Sequence, residues 1–278
     1  NRDTSDAPLW LGVVCAELAD FGVNLNELRA DGRSVQEVLR SLASHYRDGT
    51  PNGIYMDARS GLIWSPTHFT WMDTNHPAGS PREGYPVEIQ ALWLRLLRSL
   101  GDEWSGQLQH SVDSFVTYFQ SDKKWLADQL IAGQGVAAEE ATADNALRSN
   151  GLMAVALGEV TGEAAQRMVL AAQHHLVVPG AVRSLAPLAV SPPLPVRSND
   201  GVLLNDPNSP YRGRYEGDED TQRKPAYHNG TAWVWSLPVF CEALVRAWKF
   251  SPESVAAARS YLLSMESLLN VGCLGHLP

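Results

Sequence analysis

The sequence is short of cysteine, of positive charge and of long apolar runs. Its three cysteines, Cys15, Cys241 and Cys273, are spread over 278 residues and form no CxxC pair. An odd, sparse set argues against a disulfide framework and fits a reducing compartment, so a cytoplasmic protein is expected. Cys15 and Cys241 fall in apolar helical stretches, where a thiol behaves as a small buried hydrophobe. Basic residues number 22 against 31 acidic, a net charge of −9, and no block of Lys or Arg occurs. Phosphate backbones are held by clustered cations, so nucleic acid is not expected as a partner. No run approaches the ~20 apolar residues that cross a bilayer, and Asn1-Arg2-Asp3 does not open a signal peptide, so no membrane partner is expected either.

Cofactor motifs are equally scarce. The chain has no GxxxxGK[ST], no GxSxG and no HExxH. His174 and His175 are adjacent, so on a helix they point roughly 100° apart, and the other six histidines lack ligand spacing. No metal or organic cofactor is therefore expected. Gly133-Gln134-Gly135-Val136-Ala137-Ala138 matches the dinucleotide pattern GxGxxA. That pattern requires a preceding strand in a βαβ unit, and Trp125–Ala132 reads as helix.

What is present describes a globular, helix-rich chain with 44% hydrophobic and 19% charged residues. Helical periodicity runs over Ala7–Phe21, with Ser5 or Asp6 as N-cap. Ser34-Val35-Gln36-Glu37 is a capping box opening a second helix to about Arg47. Pro86 suits the first turn of a third, with a broad apolar face from Ile89 to Leu100, and a fourth spans about Glu103 to Phe119. Later helices are expected at Asp144–Gly158, Gly162–His175, Gly230–Trp248 and Pro252–Leu269, the last capped by Ser251. Gly53–Trp64 reads as a β-hairpin. Trp64–Gly84 and Val177–Asn229 are long polar stretches, and loops of that length are usually functional. With no low-complexity linker, a single domain over 1–278 is expected, all-α, built of helical hairpins about a centre. Nine of the aromatics are Trp. Several stand beside polar residues, so they divide between core and platforms for an apolar sugar face.

The chemistry is concentrated in Thr67–Asp73 and the residues that follow. Asp73 comes after Trp71 and Met72 in a loop, and Glu88 lies in the first turn of a helix. Glycosidic cleavage needs a carboxylic acid whose proton is retained by apolar surroundings, which Trp71 and Met72 would offer Asp73. Otherwise Asp73 is a turn residue and Glu88 a helix-dipole partner.

Thr70-Trp71-Met72-Asp73, Pro81-Arg82 and Pro86-Val87-Glu88-Ile89-x-Ala91-Leu92-Trp93 resemble the signature of the amylo-α-1,6-glucosidase domain of glycogen debranching enzymes. Other segments follow in the family's order. Asp6-Ala7-Pro8-Leu9-Trp10 resembles its DA-x-LW, and Asp144 with Arg148-Ser149-Asn150-Gly151 stands where it has RPNQ. Arg183-Ser184-Leu185 resembles RSL, Tyr211–Tyr215 resembles Y-x-G-x-Y, and Ala226–Trp235 resembles AYHQGTVWPW. The departures are Ser149 for Pro, Gly151 for Gln, Asn229 for Gln and Val234 for Pro.

The resemblance implies an (α/α)6 toroid and an inverting glucosidase that removes single α-1,6-linked glucose stubs from glycogen or another branched α-glucan. By motif position Asp73 is the implied general acid. Trp71, Trp233 and Trp235 are implied as sugar-stacking faces, and Arg82, Arg183, Tyr227, His228 and Asn229 as hydroxyl ligands. Asp6, Glu88 and Asp144 are sugar ligands or structural anchors. The family's second carboxylate lies in a Gly-x-[ILV]-[PS]-Glu stretch expected just after Pro278. Eight helices against a toroid's twelve likewise lead us to expect a fragment, incomplete at both ends. Failing that, Glu88, Asp218 or Glu219 is the candidate base. The alternatives are a related toroidal inverting glycosidase on another gluco-oligosaccharide, a non-catalytic carbohydrate-binding protein, or a helical protein without a sugar site.

Overall fold

A computed structural model describes residues 3–74, 82–120, 124–197 and 200–271. The chain forms two compact units. The first comprises Asn1–Asp73, Pro81–Ser121 and Gln129–Ala143; the second comprises Thr74–Ser80, Asp122–Asp128 and Asp144–Pro278. Cys273 and the expected motif residue Pro81 lie outside the described residues.

The elements of the first unit are α1 (Ala7–Asp20), β1 (Arg29–Ala30), β2 (Arg33–Ser34), α2 (Val35–Asp48), β3 (Tyr55–Met56), β4 (Ile63–Trp64), β5 (Gly84–Pro86), α3 (Val87–Ser99), α4 (Ser105–Phe119), β6 (Gln129–Ile131) and β7 (Thr142–Asp144). The capping box forms as expected: Ser34 Oγ accepts the Glu37 N–H at 3.1 Å, and Glu37 returns a carboxylate oxygen to the Ser34 N–H at 2.6 Å. The hairpin also forms, with Tyr55 opposite Trp64 and Met56 opposite Ile63. At the centre lies α3, buried almost all round, since Val87 through Leu94, Leu96 and Leu97 are covered. A helix that is apolar on every side belongs in a core, and each buried Leu or Ile contributes roughly 1.5–3 kcal/mol. Gly12 lets α1 approach closely, because a Cβ there would stand 3.0 Å from Leu96 Cδ1. Gln90 on α3 acts as a surrogate strand. Its amide accepts the Ile63 N–H at 2.7 Å and donates to the Ile63 carbonyl at 2.9 Å.

The second unit holds α5 (Gly151–Ala156), α6 (Gly162–His175), β8 (Val177–Val178), β9 (Ala181–Arg183), α7 (Lys224–Tyr227), β10 (Ala232–Trp233), α8 (Ser236–Ala247) and α9 (Pro252–Leu263). Its core helix is α8, whose Leu237, Phe240, Cys241, Ala243 and Leu244 are buried, and α5, α6 and α9 pack on it. Ser251 caps α9 by accepting the Ser254 N–H at 3.2 Å. Strands β10, β9 and β8 form one antiparallel sheet.

Helices dominate and the sheets are small, in keeping with the helical class, but several boundaries differ from expectation. Pro86 ends strand β5 and precedes α3 rather than opening it. The helix expected over Asp144–Gly158 is confined to Gly151–Ala156: Asp144 ends a strand, and its carboxylate accepts the Ala146 N–H at 2.9 Å in an Asx turn that competes with helix. The helix expected from Gly230 starts only at Ser236, because Gly230 has φ +145° and Ala232–Trp233 pair with β9. The last helix stops at Leu263 and tightens into a 3₁₀ turn over Ser264–Leu268. Within Trp125–Ala132, read as helix, Gln129–Ile131 form strand β6 against β5. A strand therefore does precede Gly133, but it is antiparallel and a 3₁₀ turn at Ala138–Glu140 follows, so no βαβ unit arises.

Candidate functional site

In the first unit, Asp73 closes a segment pinned along its length. Thr70 Oγ1 accepts the Met72 N–H at 3.2 Å, a local turn that Thr side chains favour. Ser5, one residue before Asp6, donates its N–H to the Phe69 carbonyl at 2.7 Å, and its hydroxyl lies 2.7 Å from that of Ser65. The Tyr46 hydroxyl donates to the Ser5 carbonyl at 2.9 Å. Burial pushes the pKa of that phenol far up, and the charge of Asp6 adds to it, so it stays a donor. Asp6 is half-buried and accepts a hydrogen bond from the Thr4 hydroxyl rather than capping α1 with its side chain. Among the described residues, the expected apolar enclosure of Asp73 is not found. Met72 turns into the core, at 2% exposure, and Asp73 faces outward and is exposed. Trp71 is half-buried.

Arg82 and Glu88 form a buried ion pair. One guanidinium nitrogen lies 2.6 and 2.5 Å from the two Glu88 oxygens, and each side chain is 1% exposed. The charge of Glu88 is thus met by Arg82 as well as by the N-terminus of α3. Breaking such a pair leaves a lone buried charge, at a cost of roughly 3–5 kcal/mol.

In the second unit, the Ala226–Trp235 segment folds back on itself. The Trp233 indole N–H donates to the Tyr227 carbonyl at 3.1 Å. The Tyr227 ring is 4.7 Å from both the His228 and Trp233 rings and 5.5 Å from that of Tyr215, all edge-on. Gly230 is required here, since a Cβ would meet the Arg212 carbonyl at 2.6 Å. Arg212 N–H in turn donates to the Asn229 carbonyl at 2.6 Å, joining the Tyr211–Tyr215 motif to this one. The Asn229 amide donates to the Pro225 carbonyl at 3.1 Å. Arg183 sits opposite Ala232 and donates to the His175 carbonyl at 3.2 Å. Trp235 is 42% exposed just before α8.

Two residues absent from the expected set prove central. Arg148 is buried, with Nε 3.6 Å from Asp128, and it donates to the His228 carbonyl at 2.6 Å and to Asn229 Oδ1 at 3.3 Å. Asp128 accepts from Asn150 at 2.9 Å, and its N–H donates to the carbonyl of the buried Asp144. The signal for Asp128 was its position inside the apolar run Trp125–Ala132, where an acid needs a buried partner. Among the described residues, no group of three His, Cys, Asp or Glu side chains is arranged to hold a metal. An open cavity of about 400 Å³ is lined by Arg212, Gly213, Arg214, Glu216 and Gln222. A larger one of about 580 Å³ lies between α6 and α9 and includes none of the motif residues.

A family model, that of amylo-alpha-1,6-glucosidase, matches the chain over residues 1–191 and 201–278. The chain belongs to the amylo-α-1,6-glucosidase family. Comparison with curated proteins finds no match. Family membership brings a debranching-type glycosidase and a glucan substrate as the coarse function. Within this amylo-α-1,6-glucosidase family chain, the residues left out of the match are 192–200, in the long connection between β9 and α7. No helix among the described residues is long and apolar enough to cross a membrane.

Proposed function

We propose that the protein is an inverting, cytoplasmic α-1,6-glucosidase that removes single glucose stubs from glycogen or limit dextrin. Asp73 is the general acid, in an (α/α)6 ring, and no cofactor takes part. The observation that carries this reading is the contrast between its two carboxylates. Asp73 is exposed at the end of a pinned turn, free to meet a glycosidic oxygen, whereas Glu88 is 1% exposed and held by Arg82. An acid must reach the leaving oxygen while protonated, and a sugar ring covering a carboxyl strips its water and helps it keep the proton. The base of an inverting enzyme stands roughly 6.5–9.5 Å away to admit the attacking water. Glu88, locked in its ion pair, is unsuited to that task. In the first unit Trp71 offers an apolar face to glucose. In the second, Trp233 and the exposed Trp235 do so, with the half-buried Arg183 and Tyr227 supplying polarity, while His228 and Asn229 are 1% and 3% exposed and lie behind them.

The test is glucose release from an α-1,6-branched limit dextrin by the complete gene product and its Asp73→Asn variant. The amide keeps the shape but has no acidic proton, so release should fall about 100- to 10,000-fold with dextrin binding retained. Release untouched by the substitution would remove Asp73 from the mechanism. No release by either protein, with dextrin still bound, would favour a carbohydrate-binding role or another linkage.

A further inference from the structure

Three consecutive main-chain carbonyls in the second unit are each taken by a donor from elsewhere. The Tyr227 oxygen accepts from the Trp233 indole, the His228 oxygen from the Arg148 guanidinium at 2.6 Å, and the Asn229 oxygen from the Arg212 N–H. Of the three donors only Arg148 is a buried charge, 2% exposed, and it also reaches the Asn229 side chain and the Asp128 carboxylate. A buried guanidinium is tolerated when a counter-charge and good hydrogen bonds accompany it. Asp128 supplies the charge and is itself oriented by Asn150 at 2.9 Å. One acceptor stands at each of the three guanidinium nitrogens, which suits a planar fork with five N–H groups better than the single nitrogen of an ammonium.

We infer that Arg148 is the positioning residue of the Tyr227–Trp233 segment. Its guanidinium fixes the chain path at His228–Asn229, and thereby the buried His228 ring and the orientation of the half-buried Tyr227 and Trp233 rings packed on it, which take the glucan. The inference rests on the reading of those rings as sugar-binding. It gives Arg148 no contact with substrate; the residue acts through the backbone it holds. Arg148→Lys preserves the charge opposite Asp128 and loses the fork.

The experiment compares the complete gene product with Arg148→Lys in three readouts: unfolding temperature, near-ultraviolet circular dichroism, and KM and kcat on limit dextrin. A Trp233→Phe difference spectrum identifies the Trp233 band. The expected result for Arg148→Lys is an altered Trp233 band and a KM raised about tenfold or more, with kcat much less affected and the protein still cooperatively folded. A residue that served stability alone would lower the unfolding temperature and leave the band and KM of the folded fraction unchanged; that result overturns the proposal. If Arg148→Lys does not fold, Asn150→Ala frees Asp128 while retaining the Arg148–Asp128 pair. It is expected to shift the same band and KM less strongly, and no shift there overturns the proposal as well. Wild-type protein that neither binds nor cleaves dextrin would sink the glucosidase reading, and the Trp233 band would still decide on Arg148.

Discussion

Tyr46 reaches the turn of Asp73 through Ser5, whose carbonyl it donates to and whose N–H bonds Phe69, so its hydroxyl isolates that link. Phe at this position keeps the stack on Trp93, at 6.3 Å and 16°, and leaves the Ser5 carbonyl without its phenol donor. Tyr46 is 2% exposed, so Tyr46→Phe should cost roughly 1–3 kcal/mol in urea unfolding and lower glucose release by loosening Phe69–Asp73. An unchanged midpoint would remove the link from the argument. Burial alone pushes the Cys241 thiol up from 9.0 to about 11. A raised thiol pKa favours the fold while the unfolded thiol is still protonated. Its contribution is therefore complete below pH 9.0 and is lost as the pH climbs toward about 11. Relative to Cys241→Ala, wild-type protein should lose up to about 2 kcal/mol of stability over that window; equal alkaline slopes would refute it. The buried thiols were legible from the apolar runs around Cys15 and Cys241. The exposure of Asp73 was not, because neighbouring Trp and Met do not say which of them turns inward.

Among the elements, the connection from β9 to α7 contains a finger that the family match passes over at 192–200. Two stretches pair across it: Leu194 N–H donates to the Pro207 carbonyl at 2.8 Å, and Leu204 N–H to the Val196 carbonyl at 2.8 Å. Asn205 closes the gap, accepting the Val196 N–H at 2.8 Å and donating to the Leu194 carbonyl at 2.9 Å. Leu194 and Val196 are buried, whereas Val202, Leu203 and Leu204 are exposed. Arg212 ties the finger down by donating to the Leu204 carbonyl at 3.1 Å. Asn205→Ala removes both bridging bonds, so trypsin should cut after the exposed Arg197 about tenfold faster, and an unchanged rate would deny Asn205 this role. The three prolines from Pro192 to Pro195 marked this stretch as stiff and long. Its pairing was hidden, because Asn205 supplies from a side chain what a strand would supply from its backbone.

For the molecule as a whole, the two units each centre on one nearly enveloped helix, α3 in the first and α8 in the second. By contrast α9 buries only Ser254 and Ala258. Protection from amide exchange follows burial and cooperative opening, so α3 and α8 should exchange slowest in their own units and α9 far sooner. Exchange of α3 as fast as α9 would contradict this account of where the stability lies. The apolar face of Ile89–Leu100 announced a core helix from its periodicity. It did not announce that Glu88 and Gln90 would be buried too, since their cover depends on Arg82 and Ile63.

What the sequence determined by itself is whatever a few neighbouring residues decide: the capping box at Ser34 and Glu37, the start of α9 at Ser251, the hairpin at Tyr55–Trp64, and the order of motifs that marks the family. Caps, periodicity and turns are short-range, so their cause and effect lie within one or two helical turns. Only the tertiary structure decided that Gln129–Ile131 is a strand, that Glu88 is held by Arg82, and that Arg148 joins Asp128 to His228 and Asn229. Strand β6 exists because β5 lies beside it, and the buried charges of Asp128 and Arg148 are bearable because their partners lie 20 and 80 residues away. Desolvation makes the value of a polar side chain depend on what surrounds it in space, and that is decided by the folded chain.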